Sequence, residues 1–144
     1  MVAMRTMSRE EAWAFLAAGA RTAKLATTRA DGAPDVVPVS FVLDGDQIVF
    51  TCPRSSLKAR NLVRDPRAAV AVDDEAFPQA FVTARGTVEV AVRPDDLRMW
   101  TKRIAARYVG AERAEECGRR NEQTGDCLVR LTPERIFARA EVAL

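Results

Sequence analysis

Within five positions, Arg54, Ser55, Ser56 and Lys58 gather two cations and two hydroxyls. Donors of that kind suit an anion such as a phosphate. They lie in residues 47–67, QIVFTCPRSSLKARNLVRDPR, and the local order of this stretch supports the same chemistry. Ile48, Val49 and Phe50 are an apolar, β-favouring run that ends at Thr51-Cys52. Pro53 cannot donate to a sheet ladder and should stop the strand. Ser55 or Ser56 can cap the helix that follows, its hydroxyl accepting from the first free N–H groups. Leu57, Asn61 and Leu62 keep helical spacing, and Asp65-Pro66 ends the helix because the residue before proline avoids the α region. A helix N-terminus presents free N–H groups and a partial positive charge to an anion. The same stretch also reads as an ordinary strand-to-helix turn with a solvated basic face. It is not a P-loop, since the glycines and the Gly-Lys-Ser/Thr ending are missing.

The rest of the chain narrows the chemistry by what it lacks. There is no histidine among the 144 residues, which removes histidine-activated nucleophiles and histidine-ligated zinc or haem. Cys52, Cys117 and Cys127 are widely spaced and form no Cys-x-x-Cys. Neither a metal site nor a redox dithiol is suggested, and the odd count points to free, partly buried thiols in a reducing, cytoplasmic setting. No residue stands out as a catalytic acid, base or nucleophile. The net charge of +2 is too small to imply a nucleic-acid or membrane partner. Arg54, Lys58, Arg60, Arg64 and Arg67 are basic but carry no interleaved stacking aromatics, unlike a single-strand binder. Only a short mixed apolar run occurs near the start, at 13–18, so neither a signal peptide nor a membrane span is expected.

The elements around this corner follow from punctuation. Ser8 and Glu11 match a capping box and open a helix that reaches about Ala18, with Gly19 as its stop. A strand is expected over 23–28, a turn at 29–32, and a second strand over 35–43. Pro38 inside that strand requires an edge, a bulge, or a backbone position no neighbour needs. Asp44-Gly45-Asp46 turns the chain back into the strand before the corner. Further strands are expected over 68–72, after which Asp73-Asp74-Glu75 reads as a solvated loop, and over 81–92, with a bulge or bend at Gly86. Pro94-Asp95-Asp96 opens a helix whose Leu97, Trp100, Ile104 and Tyr108 share one core-facing side, and Gly110 ends it. Residues 111–123 are a polar helix or a loop. Two last strands, 127–131 and 136–142, flank Thr132-Pro133. Six or seven short, mostly antiparallel strands with flanking short helices make a mainly β (α+β) barrel in one domain, 1–144. No Gly-x-Gly-x-x-Gly follows a strand, which argues against a dinucleotide fold.

Four pieces in this order resemble the split β-barrel flavin- and deazaflavin-binding family of the pyridoxamine 5′-phosphate oxidase class. They are KLATTRADGAPDVVPVSFVLDGDQIVF, the corner with its Lys58-x-x-Asn61-Leu62-x-x-Asp65-Pro66 core, the strand FVTARGTVEV, and the closing strands around LTPERI. The resemblance covers nearly the whole chain. It implies a homodimer with cofactors in grooves between subunits. It places the ring along Pro38, Val39 and Ser40 and the neighbouring strand end at Thr51, Cys52 and Pro53. It places the phosphate near Ser55, Ser56, Lys58 and Asn61, at the corner where Arg54 adds a second cation. Pyridoxamine phosphate oxidases proper carry an arginine and a lysine on the strand that matches 37–41, and this chain has neither there. Their arginine-rich C-terminal signature is also reduced to Arg135 and Arg139. The pattern is closer to the subgroup that uses coenzyme F420, a 5-deazaflavin, with FMN as the alternative cofactor. The activity so implied is hydride transfer from the reduced ring to a small unsaturated organic substrate. The alternatives are an FMN-binding flavoprotein of the class or a non-catalytic cofactor-binding protein. The proton would come from water, a threonine, Tyr108 or an arginine.

Overall fold

The computed structural model describes residues 4–142. Its elements are β1 (Arg5–Thr6), α1 (Arg9–Ala17), β2 (Ala23–Thr28), β3 (Pro34–Val39), β4 (Val42–Asp44), β5 (Gln47–Pro53), α2 (Leu57–Arg64), β6 (Arg67–Asp74), β7 (Ala80–Ala91), α3 (Leu97–Tyr108), α4 (Ala111–Thr124) and β8 (Asp126–Ala140). The strands form one antiparallel sheet in the order β3-β2-β6-β7-β8-β5-β4, with β1 added along β8. The two end strands, β3 and β4, are consecutive in the chain and joined only by Ser40 and Phe41. The sheet must therefore curl until its ends meet, and no ladder closes the seam. This is the expected mainly antiparallel split barrel.

The single strand expected over 35–43 is thus two strands on opposite edges. Pro38 sits on the edge strand β3, opposite Lys24 of β2. The link leaves the ladder because α3 supplies its partners. The Phe41 N–H donates to the Tyr108 hydroxyl at 3.1 Å, and the Phe41 carbonyl accepts from Arg107 at 2.8 Å. The two closing strands expected after 127 are one strand, β8. Its register against β7 runs Arg85 to Arg135 and then Gly86 to Pro133, so Glu134 is an extra residue and Pro133 is accommodated at a bulge. The loop expected at 73–75 starts later than the sequence suggests. Asp73 and Asp74 end β6, held by Lys24 at 2.9 Å and Arg21 at 3.3 Å.

The barrel interior is filled by Leu25, Phe41, Ile48, Phe50, Val70, Val82, Val129 and Leu131. Ala12 and Leu16 of α1 and Ala59 and Leu62 of α2 belong to the same core. Strand β5 buries both of its faces. Ile48 and Phe50 point into the barrel, whereas Val49 packs with Val42, Trp100, Ile104 and Leu128 under α3. That is why its sequence is a continuous apolar run rather than an alternating one. Helix α1 has the expected capping box, Ser8 with Glu11. It has no basic residue in its last turn, and Arg107 of α3 supplies one from a distance. Its guanidinium donates to the carbonyls of Leu16 at 2.7 Å and Gly19 at 2.9 Å.

Of the two candidate caps for α2, Ser56 is the one used. Its hydroxyl accepts from the Ala59 N–H at 3.3 Å and donates to the Pro53 carbonyl at 2.7 Å, whereas Ser55 is exposed. Ser56→Ala is expected to lower stability by about 1 kcal/mol. Ser55→Ala should stay within about 0.5 kcal/mol of the parent. Thermal unfolding followed by circular dichroism separates the two, and equal losses would show that the cap is not the stabilising feature.

No helix among the described residues is long and apolar enough to cross a membrane.

Candidate functional site

Strand β4 covers only the first part of β5, pairing Val42 with Val49, Leu43 with Ile48 and Asp44 with Gln47. Beyond Val49 the edge of β5 faces the seam. The Arg54 N–H bonds to the Gly125 carbonyl, which sets the alternation along β5 and β8. Residues 52 and 50 therefore face β8 with their N–H and C=O, and Thr51 directs its own toward the seam. Pro53 follows the same outward phase, so its missing N–H costs no ladder bond, and its carbonyl accepts from Ser56 instead.

A cleft of about 310 Å³ opens at this seam. Pro38, Val39 and Ser40 form one wall, and Thr51, Cys52 and Pro53 form the other. Lys58 enters from the first turn of α2, and Thr101, Ile104, Ala105 and Tyr108 of α3 cover the top. Cys117, Arg120 and Asn121 of α4 complete it. Seven of the eleven sequence-derived positions thus meet here: Pro38, Val39, Ser40, Thr51, Cys52, Pro53 and Lys58. The other four stand outside the lining. Arg54 turns away, its guanidinium lying against Gly125 and reaching the Val92 carbonyl at 3.5 Å. The Ser56 hydroxyl is engaged as the cap, and Ser55 is exposed beside it. Asn61 is fully buried, donating to the Thr27 hydroxyl at 3.0 Å and accepting from Arg64 at 3.3 Å.

The contribution of α4 was missing from the sequence reading. Ala114 and Gly118 are its buried residues, and Asn121 follows on the same side. A methyl group at Gly118 would meet the Cγ atoms of Arg98 and Lys102 at 3.3 Å, so this face lies close against α3. Ala114-x-x-x-Gly118-x-x-Asn121 is the periodic signal that marks it. Asn121 shares its amide between the hydroxyls of Thr51 and Thr101, both at 3.5 Å.

Charge in the cleft is uneven. Neither Lys58 nor Arg120 makes an ion pair among the described residues. Asp126, opposite Pro53 in the ladder, is buried behind Thr51 and accepts from the Thr124 hydroxyl at 2.6 Å. Burial pushes its carboxyl above the usual range, and the hydrogen bonds of Thr124 and Thr51 with the charges of Arg120 and Lys58 oppose this only in part. Folding therefore tightens this proton, and the contribution of Asp126 to stability falls as pH rises from the ordinary carboxylate range through the raised value. Asp126→Asn is expected to lose that slope. Relative to the parent, it should gain stability as pH climbs out of the ordinary carboxylate range, from about pH 4 upward. Thermal melts of both proteins across that window check the sign, and a parent that gains on the variant as pH rises contradicts the assignment.

The Tyr108 hydroxyl is committed. It donates to the Arg21 carbonyl at 2.8 Å while accepting from Phe41 N–H. Cys52 and Cys127 face each other across β5 and β8, with sulfurs 3.7 Å apart. Among the described residues, no group of three or more histidine, cysteine, aspartate or glutamate side chains is placed to hold a metal ion.

Similar folds are known. A conserved hypothetical protein from Mycobacterium tuberculosis is 25% identical, with a TM-score of 0.80 over 94% of this chain and 86% of that one. A structure described as an F420 reductase is 26% identical, with a TM-score of 0.67 over 84% of this chain and 92% of that one. A FAD-binding protein from Mesorhizobium loti shares the fold at 18% identity, with a TM-score of 0.72 over 95% and 97% of the two chains. No curated protein matches the chain. The family model described as pyridoxamine 5′-phosphate oxidase matches residues 8–140, nearly the full length, and the chain belongs to that family.

Proposed function

We propose that the chain is an oxidoreductase that holds coenzyme F420 in the seam cleft and reduces a small unsaturated organic acceptor. The observation that carries this reading is the cleft itself, where two cations with no ion pair among the described residues stand beside a sheet edge and an apolar roof. The donor set fits a phosphorylated tricyclic ring. Lys58 and Arg120 suit the phosphate, the outward main chain of Thr51 suits the polar edge of a ring, and Val39, Ile104 and Ala105 suit its flat face. When bound and reduced, such a cofactor supplies a hydride to the acceptor. The chain's own residues bind, orient and exclude water. Tyr108 donates its hydroxyl proton to the Arg21 carbonyl, which leaves Ser40, Thr51 and Thr101 as the other hydroxyls lining the cleft. The resemblance of the fold to an F420 reductase supports the same reading. FMN also presents a phosphate and a similar tricyclic ring, and a FAD-binding protein shares the fold.

Titration of purified protein with each cofactor, followed by absorbance and fluorescence, tests binding. Turnover of the reduced cofactor against a panel of activated alkenes tests catalysis. Saturable binding with turnover is expected. Binding of FMN alone would reassign the cofactor, binding without turnover would leave a carrier, and binding of neither would remove the proposal.

The cleft lies near the lower end of the range for small-molecule sites, about 300–1,000 Å³, and a ring held there by one chain would keep part of its surface wet. A second copy of the chain is therefore part of the proposal. Val36 on the free edge of β3 is 64% exposed and Phe137 on the outer face is 49% exposed, which leaves apolar surface for it. Light scattering is expected to give twice the chain mass of 15.8 kDa, and a monomer that still binds cofactor would defeat this.

A further inference from the structure

We propose that Cys52 and Cys127 are a site of reversible disulfide formation, oxidised by a small hydroperoxide that enters through the seam cleft. Their spacing of 75 residues gave no dithiol motif, and the barrel creates the pair. The two are directly opposite in the β5–β8 register. The Arg54–Gly125 hydrogen bond places them at a hydrogen-bonded position of the antiparallel ladder. Such partners have Cα atoms about 5.5 Å apart. A disulfide spans about 4.4–6.8 Å between Cα atoms, so the strands need not separate. The sulfurs already touch at 3.7 Å, and both side chains are about 1% exposed. Closing the bond therefore asks for side-chain rotation within an ordered ladder.

Access and chemistry divide between the two residues. Cys52 lines the cleft and Cys127 does not. Because Cys52 is about 1% exposed, a small hydroperoxide in the cleft reaches its sulfur only when the neighbouring residues move aside. That sulfur attacks the peroxide oxygen, the O–O bond breaks, and water leaves with the thiol proton, giving a sulfenic acid. The Cys127 sulfur then attacks the Cys52 sulfur and expels a second water. Two thiols and one hydrogen peroxide give one disulfide and two waters, with two electrons passing from sulfur to oxygen. The Cys127 thiol is held below its ordinary pKa by its contact with Cys52, which suits it to the second step. The same contact, followed by burial, holds the Cys52 thiol well above its ordinary value, so the first step is slow at neutral pH. Cys117 lines the same cleft from α4 but stands on no neighbouring strand, and it serves as an internal control.

The test treats the native full-length chain with hydrogen peroxide, then unfolds it in an alkylating agent and weighs it. The expected result is a fall from three alkylated thiols to one in the linked fraction, with the peptides containing Cys52 and Cys127 joined. A dithiol reductant should restore all three. Cys127→Ser should abolish the linked species and Cys117→Ser should not. Circular dichroism before and after oxidation checks that the fold is kept. Cys52 and Cys127 that both remain alkylated after peroxide treatment overturn the proposal, as does a bond that includes Cys117.

Discussion

Lys58→Ala is expected to weaken cofactor binding by about tenfold to a hundredfold while leaving the fold intact. The lysine projects from the first turn of α2 into the cleft, is half-buried, and has no carboxylate partner among the described residues. A hydrogen bond from a charged donor to a phosphate contributes about 1.5–3 kcal/mol. At about 1.4 kcal/mol per factor of ten, that gives the stated range. Stability should hardly change, because the cap of α2 is Ser56 and its core contacts are Ala59 and Leu62. Arg120 is the other cation of the cleft and Arg54 is not, since Arg54 is turned toward Gly125. Arg120→Ala should therefore add to the loss, and Arg54→Ala should not. Added salt should weaken the parent more than Lys58→Ala, because screening acts on the charge the variant lacks. The measurement is a fluorescence titration of F420 and of FMN into each protein. Unchanged affinity for both cofactors would remove Lys58 from the site and leave the corner as a solvated turn.

The backbone of the corner was readable because its signals are local. Pro53, Ser56 and Asp65-Pro66 each act on the backbone within a turn of themselves, and the structure places a strand end, a cap and a helix end at those positions. The seam was not readable in the same way. Nothing within residues 35–43 says that the chain leaves one edge of the sheet at Val39 and joins the opposite edge at Val42. That crossing is fixed by Tyr108 and Arg107, more than sixty residues away. Pro38 gave the nearest hint, since it demanded an edge or an unneeded donor. The third side of the cleft was missed for a different reason. Helix α4 is so polar that its sequence reads as a solvated surface, and only the small residues Ala114 and Gly118 betray a buried stripe. Asn61 is a case of the opposite kind. Motif resemblance put it with the phosphate donors, but its amide is engaged with Thr27 inside the protein. The cysteine pair exists only in the register of β5 against β8, which spacing along the chain cannot show.

Gly86→Ala is expected to cost about 3 kcal/mol or more of stability, the largest loss for a single added methyl group among the glycines. The reason is space rather than backbone freedom. The extra residue Glu134 bulges β8 against β7 just where Gly86 pairs with Pro133. A methyl group at Gly86 would lie 2.1 Å from the Thr132 carbonyl oxygen and 3.1 Å from the Glu134 nitrogen. Both are main-chain atoms, so relief requires moving one strand off the other rather than rotating a side chain. Extra methylenes in well-packed sites cost about 1–3 kcal/mol even when neighbours can adjust. Here the neighbours belong to the β7–β8 pair, whose register runs from Phe81–Arg139 to Ala91–Leu128 and holds the middle of the sheet. At Gly118, by contrast, the added methyl meets the side-chain Cγ atoms of Arg98 and Lys102 at 3.3 Å, and the nearest main-chain atom, the Arg98 carbonyl oxygen, lies at an ordinary 3.8 Å. Gly118→Ala should be much milder and should act on how α4 seats against α3. Denaturant unfolding of both variants, with cofactor titration of whatever remains folded, tests the contrast. Equal and small losses would mean that the bulge relaxes freely and that Gly86 does not set the approach of the two strands.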